Sequence, residues 1–329
     1  MSILNNLNGL DALKFIMALF VVAIHVHPFI NYPFINSVCT PFMSSAVPVF
    51  FLISAFLLFR KLHISTNEIQ ILIRFFKRIS FLYLFWFVIY MPAVIWKHRY
   101  FLDYDIITSM GMLTKDLLLG FTFPGSWFLS ALFLSVIVVY LCNRFLNSYV
   151  SFAIFFALSI YIKFACNFPD TWHVIFDWLT LNVRKEVELT FLSSLIWVSM
   201  GNILARTDLL AKLECRRIVI FCVLTYFLWF ITALQIFIYP FAVGLFMLGY
   251  CVKLTDRPCF KMMRSMSILF FLSHFTMAGQ VEDYFLTLFP KPYFAVIYYL
   301  IVLLLCSFFS FAILTIEKNK YFHFVKYSH

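Results

Sequence analysis

Glycine and charge are both scarce in this chain. Eight glycines among 329 residues leave little material for a Gly-rich loop that would cradle phosphates, and none stands out. Charged residues make up 12% of the sequence, about half the usual share in a water-soluble domain. The eight cysteines include no C-x-x-C pair, so neither a zinc site nor a redox motif is indicated, and they read as buried thiols. No metal-binding cluster, internal repeat or low-complexity segment is visible, and no metal is expected. The first apolar run lacks a basic leader and a small-residue cleavage site, so it reads as a permanent helix and not a cleavable signal.

What fills the chain is apolar surface. Hydrophobic residues reach 64% and the mean hydropathy is +0.94, which places lipid, not water, around most of it. Ten runs have a length close to the roughly 20 residues that cross a hydrocarbon core. They lie near 11–30, 41–59, 79–96, 124–142, 149–166, 188–205, 217–234, 236–252, 266–282 and 293–315. The expected fold class is therefore all-α: a polytopic transmembrane helical bundle of about ten spans, forming a single integral-membrane domain over 1–329. The chain ends soon after the last run, so chemistry is expected within the bundle or at its mouth.

Charge sets the expected orientation. With the N-terminus in the cytoplasm, about 18 of the 25 Lys and Arg residues fall on the inner side, as the positive-inside rule requires. An even number of spans returns the C-terminus to the same side. The net charge of +10 is thus a topological signal, and no nucleic-acid partner is implied. The expected outer segments, 97–123 and 167–187, are richer in acids and carry Tyr100, Tyr104, Trp172 and Trp178. These aromatics read as interfacial anchors or as the frame of a polar acceptor site.

The first run, "DALKFIMALFVVAIHVHPF", carries four ionisable residues that lipid would reject. Lys14 and His25 are eleven residues apart, close to three helical turns, and so lie on one face with about 16 Å between them. Asp11 shares that face one turn below. An ionisable group inside a span costs about 2.5–3.5 kcal/mol on insertion scales and usually faces protein or a water-filled cavity, so the stripe predicts a polar cavity beside this helix. His27 points nearly opposite His25 and reaches the outer interface. Lys14 taken alone would also fit a residue snorkelling to the inner surface, paired with Asp11.

The basic residue, ten intervening positions and histidine resemble the first-helix feature of the acyltransferase 3 family, integral-membrane acyltransferases of which many modify extracytoplasmic glycans. Further likenesses follow in order. "PVFFLISAFLLF" (48–59) resembles the second-helix motif, with Ala55 where glycine is typical. "RFFKRISFLYLFW" (74–86) resembles the basic entry to the third helix, with Ser80 in place of proline. "GSWFLSALFL" (125–134) and "ILFFLSHF" (268–275) resemble a tryptophan-bearing helix start and a late helix carrying a histidine.

The resemblance implies an acyl-CoA-dependent O-acyltransferase of the inner or plasma membrane. Acyl-CoA, with acetyl-CoA foremost, would be the donor, and a hydroxyl of an extracytoplasmic sugar or lipid-linked glycan the acceptor. His25 would serve as general base or as an acyl carrier. Lys14, with Asp11 beside it, would hold the donor's carbonyl or orient the site. Arg74, Lys77 and Arg78 would meet the donor's phosphates, or else only set orientation and touch anionic lipid. Ser126, Trp127, His274, Glu186 and Glu188 are candidates for the acceptor side. The plainer alternatives are an interfacial tryptophan, a histidine packed between helices and solvated loop acids. A transporter or flippase with a polar intramembrane pathway is the rival class, and a sensor or scaffold on the same fold is a third.

Overall fold

The computed structural model describes residues 7–98, 105–164, 191–206, 210, 214–285 and 291–318. Among them are eleven α-helices, one 3-10 turn (Gln235–Phe237) and no strand. The helices are α1 Asn8–Val26, α2 Pro33–Ile64, α3 Glu68–His98, α4 Ile106–Leu119, α5 Ser126–Phe145 and α6 Ser148–Phe164. They continue with α7 Phe191–Arg206, α8 Cys215–Thr232, α9 Ile238–Cys251, α10 Pro258–Phe285 and α11 Lys291–Ile316.

Each of the ten apolar runs coincides with one of these helices, while α4 arises within a segment expected to be a loop. Asp105 caps α4 by accepting from the N–H groups of Ile107 and Thr108, and Gly120, at φ 82°, ends it. A capped helix of 14 residues satisfies its backbone without being long enough to cross. Six helices are long and apolar enough to span a membrane by themselves: α1, α2, α3, α5, α8 and α11. The apolar parts of α6, α7 and α9 are shorter, and α10 carries Lys261, Arg264, His274, Glu282 and Asp283. Composition alone therefore identifies six of the ten expected spans.

The single domain expected over 1–329 packs as two compact units, 1–53 with 208–329 and 54–207, and the boundary falls inside α2. In the first unit, α1 packs against α9, α10 and α11. In lipid the hydrophobic effect does little to drive helices together, so close van der Waals fit and interhelical hydrogen bonds hold them. Both are present. Tyr299 donates to the Leu19 carbonyl at 3.1 Å and Tyr298 to the Ala278 carbonyl at 2.9 Å, while Tyr226 donates to the Val38 carbonyl at 3.1 Å.

The foot of α1 is the tightest point. Asn8 donates to the Leu254 and Thr255 carbonyls, both at 3.3 Å. A Cβ on Gly9 would lie 2.3 Å from the Gly249 carbonyl oxygen and 2.5 Å from that of Val252. Both obstacles are backbone, which cannot swing aside. Gly9→Ala is therefore expected to destabilise the protein by about 1–3 kcal/mol, read as a lower unfolding temperature of the purified protein in detergent.

Beside this point Cys215 and Cys251, the first residue of α8 and the last of α9, form a disulfide with Cα atoms 5.8 Å apart. This corrects the reading of all eight cysteines as thiols. The partners are 36 positions apart in sequence, so only the fold brings them together.

In the second unit, α5 packs against α3, α4, α6 and α7. Ser135 and Ser194 share a hydrogen bond, and Ser135 also donates to the Phe191 carbonyl at 3.0 Å. Tyr83 pairs with Thr122 at 2.7 Å. Near the other end of these helices, Glu68 accepts from Tyr140 and Arg144, and His63 meets the Asn202 side-chain oxygen at 3.1 Å.

Candidate active site

α1 places a histidine where its own backbone stops. After Val26 the chain turns through His27, which adopts the left-handed conformation at φ 55° and returns its N–H to the Ala23 carbonyl. That is the C-terminal role an αL residue plays, and it accounts for His27 in structural terms. His25 sits in the last turn, exposed, with its ring against α10. The His25 and His274 ring centroids are 5.1 Å apart, and Phe275 lies 4.2 Å from the first and 4.6 Å from the second. Two histidines 249 positions apart and an aromatic ring thus form one cluster.

His274 differs from His25 in being enclosed, with 1% of its surface exposed. Its Nδ1 lies 3.1 Å from the Phe270 carbonyl and 2.9 Å from that of Phe271, while Nε2 has no hydrogen-bond partner among the described residues. Of the two readings open for this residue, the structure fills the histidine's inner edge with its own helix and leaves the other edge unmatched.

The stripe expected on α1 is not continuous. Ala18 and Val21, which lie between Lys14 and His25 on the same face, are 0% and 1% exposed. Small and β-branched apolar side chains packed into protein occupy that line, so the face presents two separate polar groups and not one track. Lys14 is half-buried.

Asp11 has a clear partner. Its carboxylate, 5% exposed, accepts from both Nε and a terminal nitrogen of Arg264 on α10. This forked pair suits guanidinium geometry and fastens α1 to α10 about 21 Å along the helix from His25. Asp11, expected beside Lys14 in the catalytic set, thus joins α1 to α10 through Arg264. The sequence carries half of this signal, since an acid in an apolar span demands a cation, but it does not say which one.

The remaining candidates lie elsewhere. Arg74, Lys77 and Arg78 are exposed on one face of α3, at i, i+3 and i+4, with the Lys77 ammonium 5.7 Å from the Phe81 ring centroid. Ser126 is fully buried at the start of α5; its hydroxyl lies within hydrogen-bond distance of the Gly120 and Phe123 carbonyls and accepts from the Phe123 N–H at 3.2 Å. It therefore closes the turn between α4 and α5. Trp127 is half-buried beside it, its backbone so close to Gly120 that a Cβ there would meet the Trp127 Cα at 2.6 Å. Glu186 and Glu188 lie outside the described residues. Among the described residues no group of three or more His, Cys, Asp or Glu side chains is arranged to hold a metal.

Described residues that form no strand, six helices long and apolar enough to span and a strongly apolar composition define a multi-pass membrane protein, in which two imidazoles adjoin. The chain belongs to the acyltransferase 3 family, whose profile, described as an acyltransferase domain, matches residues 7–320. Over 141 residues it is also 30% identical to an amino-acid racemase of Enterococcus faecalis, a match covering 42% of this chain and 20% of that protein. The chain spans about a fifth of the racemase, so the likeness concerns a segment and not the whole. No solved structure matches.

Proposed function

We propose that this acyltransferase moves an acyl group, acetyl first among candidates, from cytoplasmic acyl-CoA to a hydroxyl of an extracytoplasmic sugar or lipid-linked glycan. In this reading the chain crosses the inner or plasma membrane ten times, with both termini in the cytoplasm, as the positive-inside count favours. His25 is the general base. The observation that carries this is an exposed imidazole at the end of an intramembrane helix, backed by a second, buried imidazole. When the acceptor oxygen attacks the thioester carbonyl, His25 takes the hydroxyl proton; as the C–S bond breaks, it returns that proton to the thiolate of CoA.

Lys14 serves the donor's polar groups. Arg74, Lys77 and Arg78 take its phosphates, because three cations on one exposed helical face suit a polyanion. Membrane lipids are the remaining partner.

The test uses purified protein in nanodiscs, titrated with acetyl-CoA, succinyl-CoA and free CoA, followed by transfer of labelled acyl group to a panel of sugars. Saturable CoA binding is expected, weakened about tenfold by Arg74→Ala, the loss of one charge-assisted contact, and unchanged by His25→Ala. Folded protein that binds none of the three would remove the donor assignment. Glycan crossing the bilayer without consumption of acyl-CoA would identify a transporter.

A further inference from the structure

We infer that His274 is the positioning residue of His25: its bare Nε2 accepts an N–H from the His25 ring and thereby selects which His25 nitrogen is free to act as base. The inference rests on the proposed acyl transfer for its consequence, but not for its geometry.

Nδ1 of His274 faces two backbone carbonyls, Phe270 and Phe271, at 3.1 and 2.9 Å. Carbonyl oxygens only accept, so Nδ1 must carry a hydrogen, and in the neutral ring the lone pair is left on Nε2. The tautomer is thus set by α10 itself. That lone pair is enclosed and has no partner among the described residues, although buried polar atoms are nearly always matched. The rings around it belong to Phe271, Phe275 and His25, and of these only His25 bears an N–H.

The spacing fits. Each imidazole nitrogen lies about 1.2 Å from its ring centre, and a collinear N–H···N contact of about 2.9 Å then puts the centroids roughly 5.3 Å apart. They are 5.1 Å apart, with the planes tilted by 31°. A rotation of the exposed His25 ring about its soft terminal torsion aligns its N–H with Nε2. Phe275 packs against both rings.

With one nitrogen committed to His274, the other His25 nitrogen is unprotonated and turned away from α10. During transfer His25 gains the hydroxyl proton on this second nitrogen while the first keeps its hydrogen on His274. No proton passes to His274, and the balance of the reaction is unchanged.

The experiment combines nitrogen-15 NMR of histidine-labelled protein in nanodiscs with kinetics. The wild type is expected to show His25 in a single tautomer, with a scalar coupling across the hydrogen bond to Nε2 of His274. In His274→Leu the His25 signals should report a mixture of tautomers, and kcat should fall roughly 10- to 100-fold, as for other groups that orient a working imidazole, with KM for acetyl-CoA unchanged. His274→Gln, which places an amide oxygen near the lost Nε2, should restore much of kcat. A wild-type His25 with mixed tautomers and no coupling would overturn the assignment without any variant having to fold. A single coupled tautomer in protein that transfers no acyl group would uphold the pairing and reject the proposed reaction instead.

Discussion

His25→Ala is expected to reduce acyl transfer by about 10²- to 10⁴-fold, the range that a positioned general base contributes, while the protein remains folded and binds acyl-CoA as before. The separation of effects follows from where the side chain sits. It is exposed at the end of α1, so truncation opens no cavity in the core. Its ring partners, His274 and Phe275, are both on α10, and α10 remains tied to α1 through the Asp11 pair. Steady-state kinetics with a saturating donor give the loss in kcat, and an unfolding curve of the same preparation checks the fold. Activity within a factor of three of wild type would remove His25 as the base.

Arg264→Ala is expected to be the most damaging substitution for stability, at about 3 kcal/mol. Asp11 is 5% exposed whereas the Arg264 side chain is 52% exposed. Removing the guanidinium therefore leaves a carboxylate enclosed without a countercharge, for which losses of about 3–5 kcal/mol are usual. The partly wet arginine argues for the lower end of that range. Asp11→Ala should cost less, because a half-exposed guanidinium can turn to water.

The double variant Asp11→Leu with Arg264→Met removes both charges, and it is expected to recover most of the stability. Thermal unfolding of the wild type, Asp11→Leu, Arg264→Met and this double variant forms the cycle that isolates the pair. The same double variant separates two roles for Asp11: retained transfer fits an anchor, and a stable but inactive protein would return Asp11 to the chemistry.

The helical class and the positions of ten apolar runs were legible because lipid imposes length and hydropathy on every crossing segment. Lys14 and His25 stood out for the same reason, as residues that a bilayer excludes. Partners were not legible. Nothing local in the sequence links His25 to His274, Asp11 to Arg264 or Cys215 to Cys251, because each is a long-range contact chosen by helix packing. Nor was the setting of the Ser126 hydroxyl legible: the Gly120 and Gly125 backbones, at φ 82° and 86°, fold the turn onto it. Between Lys14 and His25 on their shared face, the small and branched side chains of Ala18 and Val21 pack into protein. Periodicity shows which residues share a face, but not what covers it.

The length of α2 has its own consequence for where this protein can reside. At 32 residues it extends about 48 Å along its axis, against a hydrocarbon thickness of about 30 Å. Arg60, Lys61 and His63 near one end favour water, so the excess is accommodated by tilt or by projection at the opposite end. Pro41 and Pro48 within the helix interrupt its backbone ladder and permit a bend on the way. Such a helix is sensitive to bilayer thickness: short-chain lipids increase the overhang and thicker membranes relieve it, which gives membrane composition a direct mechanical grip on the protein.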